Sequence, residues 1–269
     1  MGKPFLPKKS QLSEQDLKKQ EEKFRELLKT FMDKAEEFGC TIRVIGSIAF
    51  RIKAPEYSYI EYKNKRYLTD IDFVTYKDDI VKVQDMFFSM GWKEDQGVLR
   101  LFGDKRRIFY HPTVDLHSDI FIDKLRFCHD VDLRNRLELD NPTISLIDLI
   151  LEKLQIVKIN KKDLVDIMIL LRKFEISFGK PDQTTIDGSY LVKICSQNWG
   201  WWKTATKNLV KVTQFSQDYL EPKDAKVVIQ KVNLLLENIR QHKKSIFWKI
   251  RNLFGEKFKW YNEVEEVHR

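Results

Sequence analysis

Cysteine is scarce in these 269 residues: three occur, Cys40, Cys128 and Cys195. They are odd in number, far apart and without a C-x-x-C pair, which argues against a disulfide framework or a structural zinc centre. Each reads as a small buried side chain rather than a nucleophile. Long apolar runs are also missing. The start, Met1-Gly2-Lys3-Pro4-Phe5, has no apolar core of a signal peptide, and no stretch of about 18 apolar residues is available to span a bilayer. Gly2 does not open a myristoylation motif, because Leu6 stands where Ser or Thr is needed. The expected location is cytoplasmic, with no membrane partner. Neither an internal repeat nor a low-complexity linker is visible.

What is there is a globular composition, 42% hydrophobic and 33% charged, enough apolar content to bury a core. The net charge is +8. That favours polyanionic partners such as nucleotides or RNA, or else describes a lysine-rich solvated surface.

The apolar periodicity predicts one long amphipathic helix over roughly 13–38, opened by a capping-box pattern at Ser13–Asp16 and stopped by Gly39. Thr41–Ile45 reads as a strand, and Ile48-Ala49-Phe50 as the start of a short helix. Residues 57–68, rich in Tyr and Lys, read as a strand or hairpin around Lys63-Asn64-Lys65. Asp70–Tyr76 alternates as a half-buried strand does. Asp78–Met90 reads as a helix ended by Gly91, Val98–Tyr110 as two strands across Gly103-Asp104, and Ser118–Asp123 as a further strand. After about residue 140 strands are expected to stop. Two helices are expected in 142–171, and more in 187–240 with turns near Gly200 and Pro222. The fold class is therefore α/β (α+β): a core at 1–140 with its N-terminal helix, then a helical region at 141–269 packed on it.

Three features carry chemistry. Gly46-Ser47 follows a strand, so a close backbone approach and a helix N-terminus meet there, a place suited to phosphate. Asp70 and Asp72, two apart on a strand, point to one face, where a divalent cation relieves their repulsion. The bulky neighbours Ile71, Phe73 and Val74 place that strand in a core. A later acid-bearing strand supplies a third carboxylate: Asp119 is favoured because it enters the apolar run Ile120-Phe121-Ile122, with Asp115 and Asp123 nearby.

This ordered set resembles the polymerase-β-like nucleotidyltransferase superfamily. The matching pieces are Val44-Ile45-Gly46-Ser47, Thr69-Asp70-Ile71-Asp72-Phe73 and Ser118-Asp119-Ile120-Phe121. The stretch from Lys153 to Asp166, with Lys162-Asp163 and Asp166, is similar to the K…KD-xx-D helical segment of the AbiE-type toxin branch. The run from Trp248 to Glu263 is similar to one in uncharacterised bacterial nucleotidyltransferase-family proteins. The core likeness covers roughly 40–172. It implies a small mixed sheet flanked by helices, and transfer of a nucleoside monophosphate from an NTP to an acceptor. RNA is the favoured acceptor, with a protein or small molecule as alternatives. It implies Asp70, Asp72 and Asp119 as catalytic ligands of one or two Mg2+ ions, and Gly46, Ser47, Lys153 and Lys162 as nucleotide-binding residues. The gap between Ser47 and Asp70 is longer than in compact members. Its Tyr- and Lys-rich residues are expected to form an inserted hairpin beside the site or to extend the sheet. The alternative function is a catalytically silent nucleotide- or RNA-binding module of the same fold.

Other signals carry less. Lys153 lies on an apolar helix face and either snorkels outward or reaches phosphate. Asp163 and Asp166 share a helix face and suit capping and pairing with Lys162 or Arg172 as well as catalysis. His111, His117 and His129 lack ligand spacing, though His117 is near Asp119. Arg106 and Arg107 suit a solvated hairpin or a nucleotide contact. Trp199, Trp201 and Trp202 read as helix packing before base stacking. The basic-aromatic tail from Lys243 suits RNA, or an amphipathic helix folded back on the domain.

Overall fold

The computed structural model describes residues 13–264. The chain divides into two units. One comprises the chain up to Leu125 together with Asp132–Ser145. The other takes Arg126–Val131 and the chain from Leu146 onward.

The first unit opens with helix α1 (Glu14–Glu37), whose N-cap is Ser13 in a reciprocal capping box with Asp16. Leu17, Phe24, Leu28, Phe31 and Ala35 form its buried stripe. Gly39, at φ +59, takes the left-handed turn that ends it. Strand β1 (Ile42–Ile45) leads directly into α2 (Gly46–Lys53). A 3-10 turn at Pro55–Tyr57 and helix α3 (Ser58–Lys63) follow. Then come β2 (Asp72–Thr75), a second 3-10 turn at Lys77–Asp79, α4 (Ile80–Ser89), β3 (Lys93–Glu94), α5 (Gln96–Phe102), β4 (Arg106–Tyr110) and β5 (His117–Ile122). The sheet order is β1-β2-β5-β4-β3. It is mixed: β2 runs parallel to β5, and the pairs β1–β2, β4–β5 and β3–β4 are antiparallel. Phe31 of α1 packs on Phe73 and Phe87, with ring centroids 5.0 Å apart in each case, and Phe87 stacks on Phe109 at 4.2 Å. These contacts bury one face of the sheet.

Three expectations fail in this unit. Residues 57–68 form no hairpin. Pro55 starts a helical segment, and α3 is fixed to α1 because Tyr62 donates its hydroxyl to Glu21 Oε2 at 2.8 Å. Arg51, whose Nη1 lies 3.0 Å from the same carboxylate, also donates to the Arg66 carbonyl. Glu61 pairs with Arg66 at 2.9 Å. Tyr62, one of the tyrosines that suggested a strand, is thus held by a polar contact from a helix. Burial would raise Glu21, but hydrogen bonds from Arg25 and Tyr62 and the Arg51 charge hold it below its ordinary value. Residues 98–110 form one strand, not two: Asp95 accepts from the Gly97 and Val98 amides, each at 2.9 Å, and nucleates α5. Asp70–Tyr76 is not half-buried, since Phe73, Val74 and Thr75 are all buried and β2 lies inside the sheet.

Between Leu125 and Asp132 the chain crosses a short two-stranded ribbon, β6 (Lys124–Arg126) with β7 (Asp130–Asp132). The second unit contains α6 (Leu146–Leu154), α7 (Lys161–Lys173), β8 (Glu175–Ser177), β9 (Thr185–Asp187), α8 (Gly188–Gln197), α9 (Trp199–Tyr219), α10 (Pro222–Gln241) and α11 (Ile246–Phe254). Strands do not stop at residue 140, because β8 and β9 form a small parallel pair. Gly200 is not a turn either. Asn198 caps α9, and Gly200 lies within the helix, where an added Cβ would come 2.6 Å from the Trp260 carbonyl oxygen. The glycine serves that close approach. The tryptophans pack as expected: Trp199 and Trp201 are buried, and the Trp202 and Trp248 rings meet edge to face at 5.0 Å.

Candidate functional site

Gly46 begins α2 at φ +70, a conformation that glycine reaches without strain. No side chain caps that helix start. A Cβ on Gly46 would lie 3.8 Å from Asp72 Oδ2, so the strand-to-helix turn and the Asp72 carboxylate are neighbours. Ser47 follows on the first turn, half-buried.

Asp72 opens β2. The parallel register of β2 and β5, Phe73 with Ile120, carries back to Asp72 beside Asp119 and to the isolated bridge of Asp70 with His117. The backbone amide of Asp119 donates to Asp72 Oδ1 at 3.0 Å. Asp70 is two residues before Asp72 and partly exposed, and it accepts from the Thr69 hydroxyl at 2.9 Å. The structure therefore brings Gly46, Ser47, Asp72 and Asp119 together, with Asp70 one strand position pair away.

Asp119 is the buried member, 7% exposed. Its Oδ2 pairs with the Arg106 guanidinium, which also lies over the Phe121 ring at 5.4 Å. Its Oδ1 is buried and has no hydrogen-bond partner, and neither has Arg106 Nε. An orphaned buried carboxylate oxygen is costly unless something completes it. Arg106 was legible as basic, but its pairing with Asp119 depends on the β4–β5 register, which sets Arg106 against Phe121. Arg107 turns instead to Glu94. Of the alternative third acids, Asp123 sits at φ +61 beyond the strand and accepts from the Lys77 amide at 3.1 Å, while Asp115 lies in the loop before β5. Among the described residues, no three His, Cys, Asp or Glu side chains form a group able to hold a metal ion. Asp72 and Asp119 nonetheless offer the hard oxygen donors that magnesium takes in pairs when phosphates complete its shell.

Lys153 and Lys162 belong to the second unit. Lys153 does not snorkel. Its ammonium is buried, 2.7 Å from Glu152 Oε1 and 3.8 Å from both Asp163 Oδ1 and Asp166 Oδ2. Burial alone would lower its pKa, but Glu152, Asp166 and Asp163 reverse that and hold it protonated above the ordinary lysine range. Asp163 also completes a capping box with Asn160. Arg172 pairs with Asp224 at 2.6 Å. Lys162 is exposed on the first turn of α7. Glu152, Lys153 and Asp163 line a cavity of about 650 Å³, together with Cys128, Lys158 and Tyr261. His129 is buried in this unit, its Nε2 2.9 Å from Thr204 Oγ1, and burial pushes its pKa down to about 4.

No family model, no curated protein and no solved structure gives a significant match to this chain. Among the described residues no helix is long and apolar enough to cross a membrane.

Proposed function

We propose that the first unit carries out magnesium-dependent nucleotidyl transfer, with Asp72 and Asp119 as the central carboxylates. The observation that carries this reading is the Asp119 amide donating to Asp72 Oδ1 across a parallel strand pair, beside a glycine-led helix start. A carboxylate pair and a helix N-terminus are complementary demands of a nucleoside triphosphate with its cation. Asp70, Asp72 and Asp119 would hold magnesium, which supplies charge neutralisation at the phosphates when bound. The chain's own part is positioning. Gly46 and Ser47 present backbone amides to phosphate, and the Asp119 amide fixes the orientation of the Asp72 carboxylate. The excess of basic residues supports RNA as the acceptor.

A second reading has its own observation. Arg106 already neutralises Asp119, as suits a module of this fold that binds nucleotide or RNA without transfer. Melting temperatures with each NTP, with and without magnesium, separate these readings when paired with a labelled-NTP assay. A ligand at 100 times its Kd adds about 2.7 kcal/mol to the folded state. Magnesium-dependent stabilisation that Asp72→Ala abolishes, together with label transferred to RNA, supports the enzyme. Stabilisation without transfer to RNA, protein or small molecules supports the silent module. No stabilisation by any NTP counts against the enzyme and leaves the silent module as an RNA binder, which an RNA-binding measurement then tests.

A further inference from the structure

Helix α11 is turned the opposite way from an ordinary surface helix. Its inward side is held by Trp248 against Trp202, by Arg251 stacked 4.8 Å over Trp199, and by Asn252 accepting from Trp199 Nε1 at 2.7 Å. Its apolar side chains point outward. Ile246 is 74% exposed, Phe247 83% and Leu253 81%, with Ile250 and Phe254 about half exposed. At 100° per residue these five fall within one arc of about 120°. Phe258, beyond the helix, extends the stripe, its ring 5.7 Å from that of Phe254. Single exposed apolar residues mean little, but a contiguous stripe marks an interaction surface.

Its charge setting selects the occupant. Lys243, Lys249 and Lys257 are exposed around the stripe, and Lys259 is exposed but paired with Glu263 at 2.7 Å. The other nearby acid, Glu256, is drawn to Lys203 at 2.6 Å. A second copy of the chain would bring like charges together across a two-fold axis. The helix is about 13 Å long, too short for a coiled-coil seam. A protruding apolar stripe with lysines at its borders is what an anionic bilayer interface accepts: apolar side chains enter the headgroup boundary and the ammonium groups stay at the phosphates. We infer that α11 docks this protein on an anionic lipid surface, lying in the interface without spanning it.

Cosedimentation of the whole chain with vesicles tests this. With phosphatidylcholine containing about 30% phosphatidylserine, the wild type should pellet, and with pure phosphatidylcholine it should bind at least about tenfold more weakly. Phe247→Asp with Leu253→Asp should weaken binding by about tenfold or more at an unchanged melting temperature, since both side chains are solvent-exposed. Lys249→Glu with Lys257→Glu should do likewise, and high salt should release the wild type. Absence of pelleting with anionic vesicles overturns the inference. So does equal pelleting of the double aspartate variant, or a dimer in gel filtration that this variant dissolves.

Discussion

Two carboxylate groups, the Asp72–Asp119 pair of the first unit and the cluster around Lys153 in the second, are treated in opposite ways. In the first, Asp72 and Asp119 sit on adjacent strands, one counterion covers one oxygen, and a buried oxygen is left without a partner. In the second, Glu152, Asp163 and Asp166 surround one lysine and are buried with it. Sequence spacing made Asp70 and Asp72 look catalytic and left Asp163 and Asp166 open between capping and catalysis. The difference is satisfaction: a completed network holds a fold together, whereas an incomplete one beside a helix start is shaped for something to arrive.

Four measurements test this contrast. The largest effect belongs to Lys153→Met. It strands three carboxylates around an apolar side chain and should cost about 3–5 kcal/mol in denaturant unfolding. Asp72→Ala should cost less, about 1–2 kcal/mol, because it takes the acceptor from the Asp119 amide but relieves one of two neighbouring acids. Equal costs would erase the distinction. Second comes pH. His129 has its folded pKa below the unfolded value of 6.5, at about 4, so the unfolded chain takes up the proton first. Its contribution is complete above pH 6.5 and is lost as pH falls toward 4, by about 2 kcal/mol at pH 5. His129→Gln should flatten that part of the stability curve. Third, Arg106→Gln should tighten magnesium or manganese binding at the first unit about tenfold, roughly 1.4 kcal/mol, by removing the competing cation from Asp119. Calorimetric titration reads this directly, and unchanged affinity would show that the arginine does not guard the site. The smallest effect is Phe247→Asp alone, expected within about 0.5 kcal/mol of wild-type stability.

Much of this was readable before the structure. The Ser13–Asp16 box, Gly39 and Gly91 are local signals, and each acts where the pattern put it. Asp72 and Asp119 were legible because strand alternation and an apolar run mark position on a sheet, and the parallel β2–β5 register makes them neighbours. Residues 57–68 depart from the expected hairpin because Tyr and Lys are ambiguous between strand and helix. The decision was made by Glu21 and Arg51, which lie some 40 and 10 positions earlier in the chain. The Lys153 cluster and the Arg106–Asp119 pair were hidden for the same reason: each is a tertiary pairing that no local pattern encodes. In α11 the apolar periodicity was visible, but periodicity states only that a face exists, not which way it turns.

The strip Arg126–Val131 has a consequence in the order of synthesis. It belongs to the second unit, yet it is made before any other part of that unit. The His129 amide waits for Gln155 Oε1, the Asp130 carbonyl for Trp201 Nε1, and the Cys128 carbonyl for the amide of Asn262. At ordinary elongation rates the last of these arrives on the order of ten seconds after Cys128 leaves the ribosome's catalytic centre. Until then a short strip of backbone stands without its final partners, and a stop codon placed before Asn262 would leave the Cys128 contact unmade in every molecule produced.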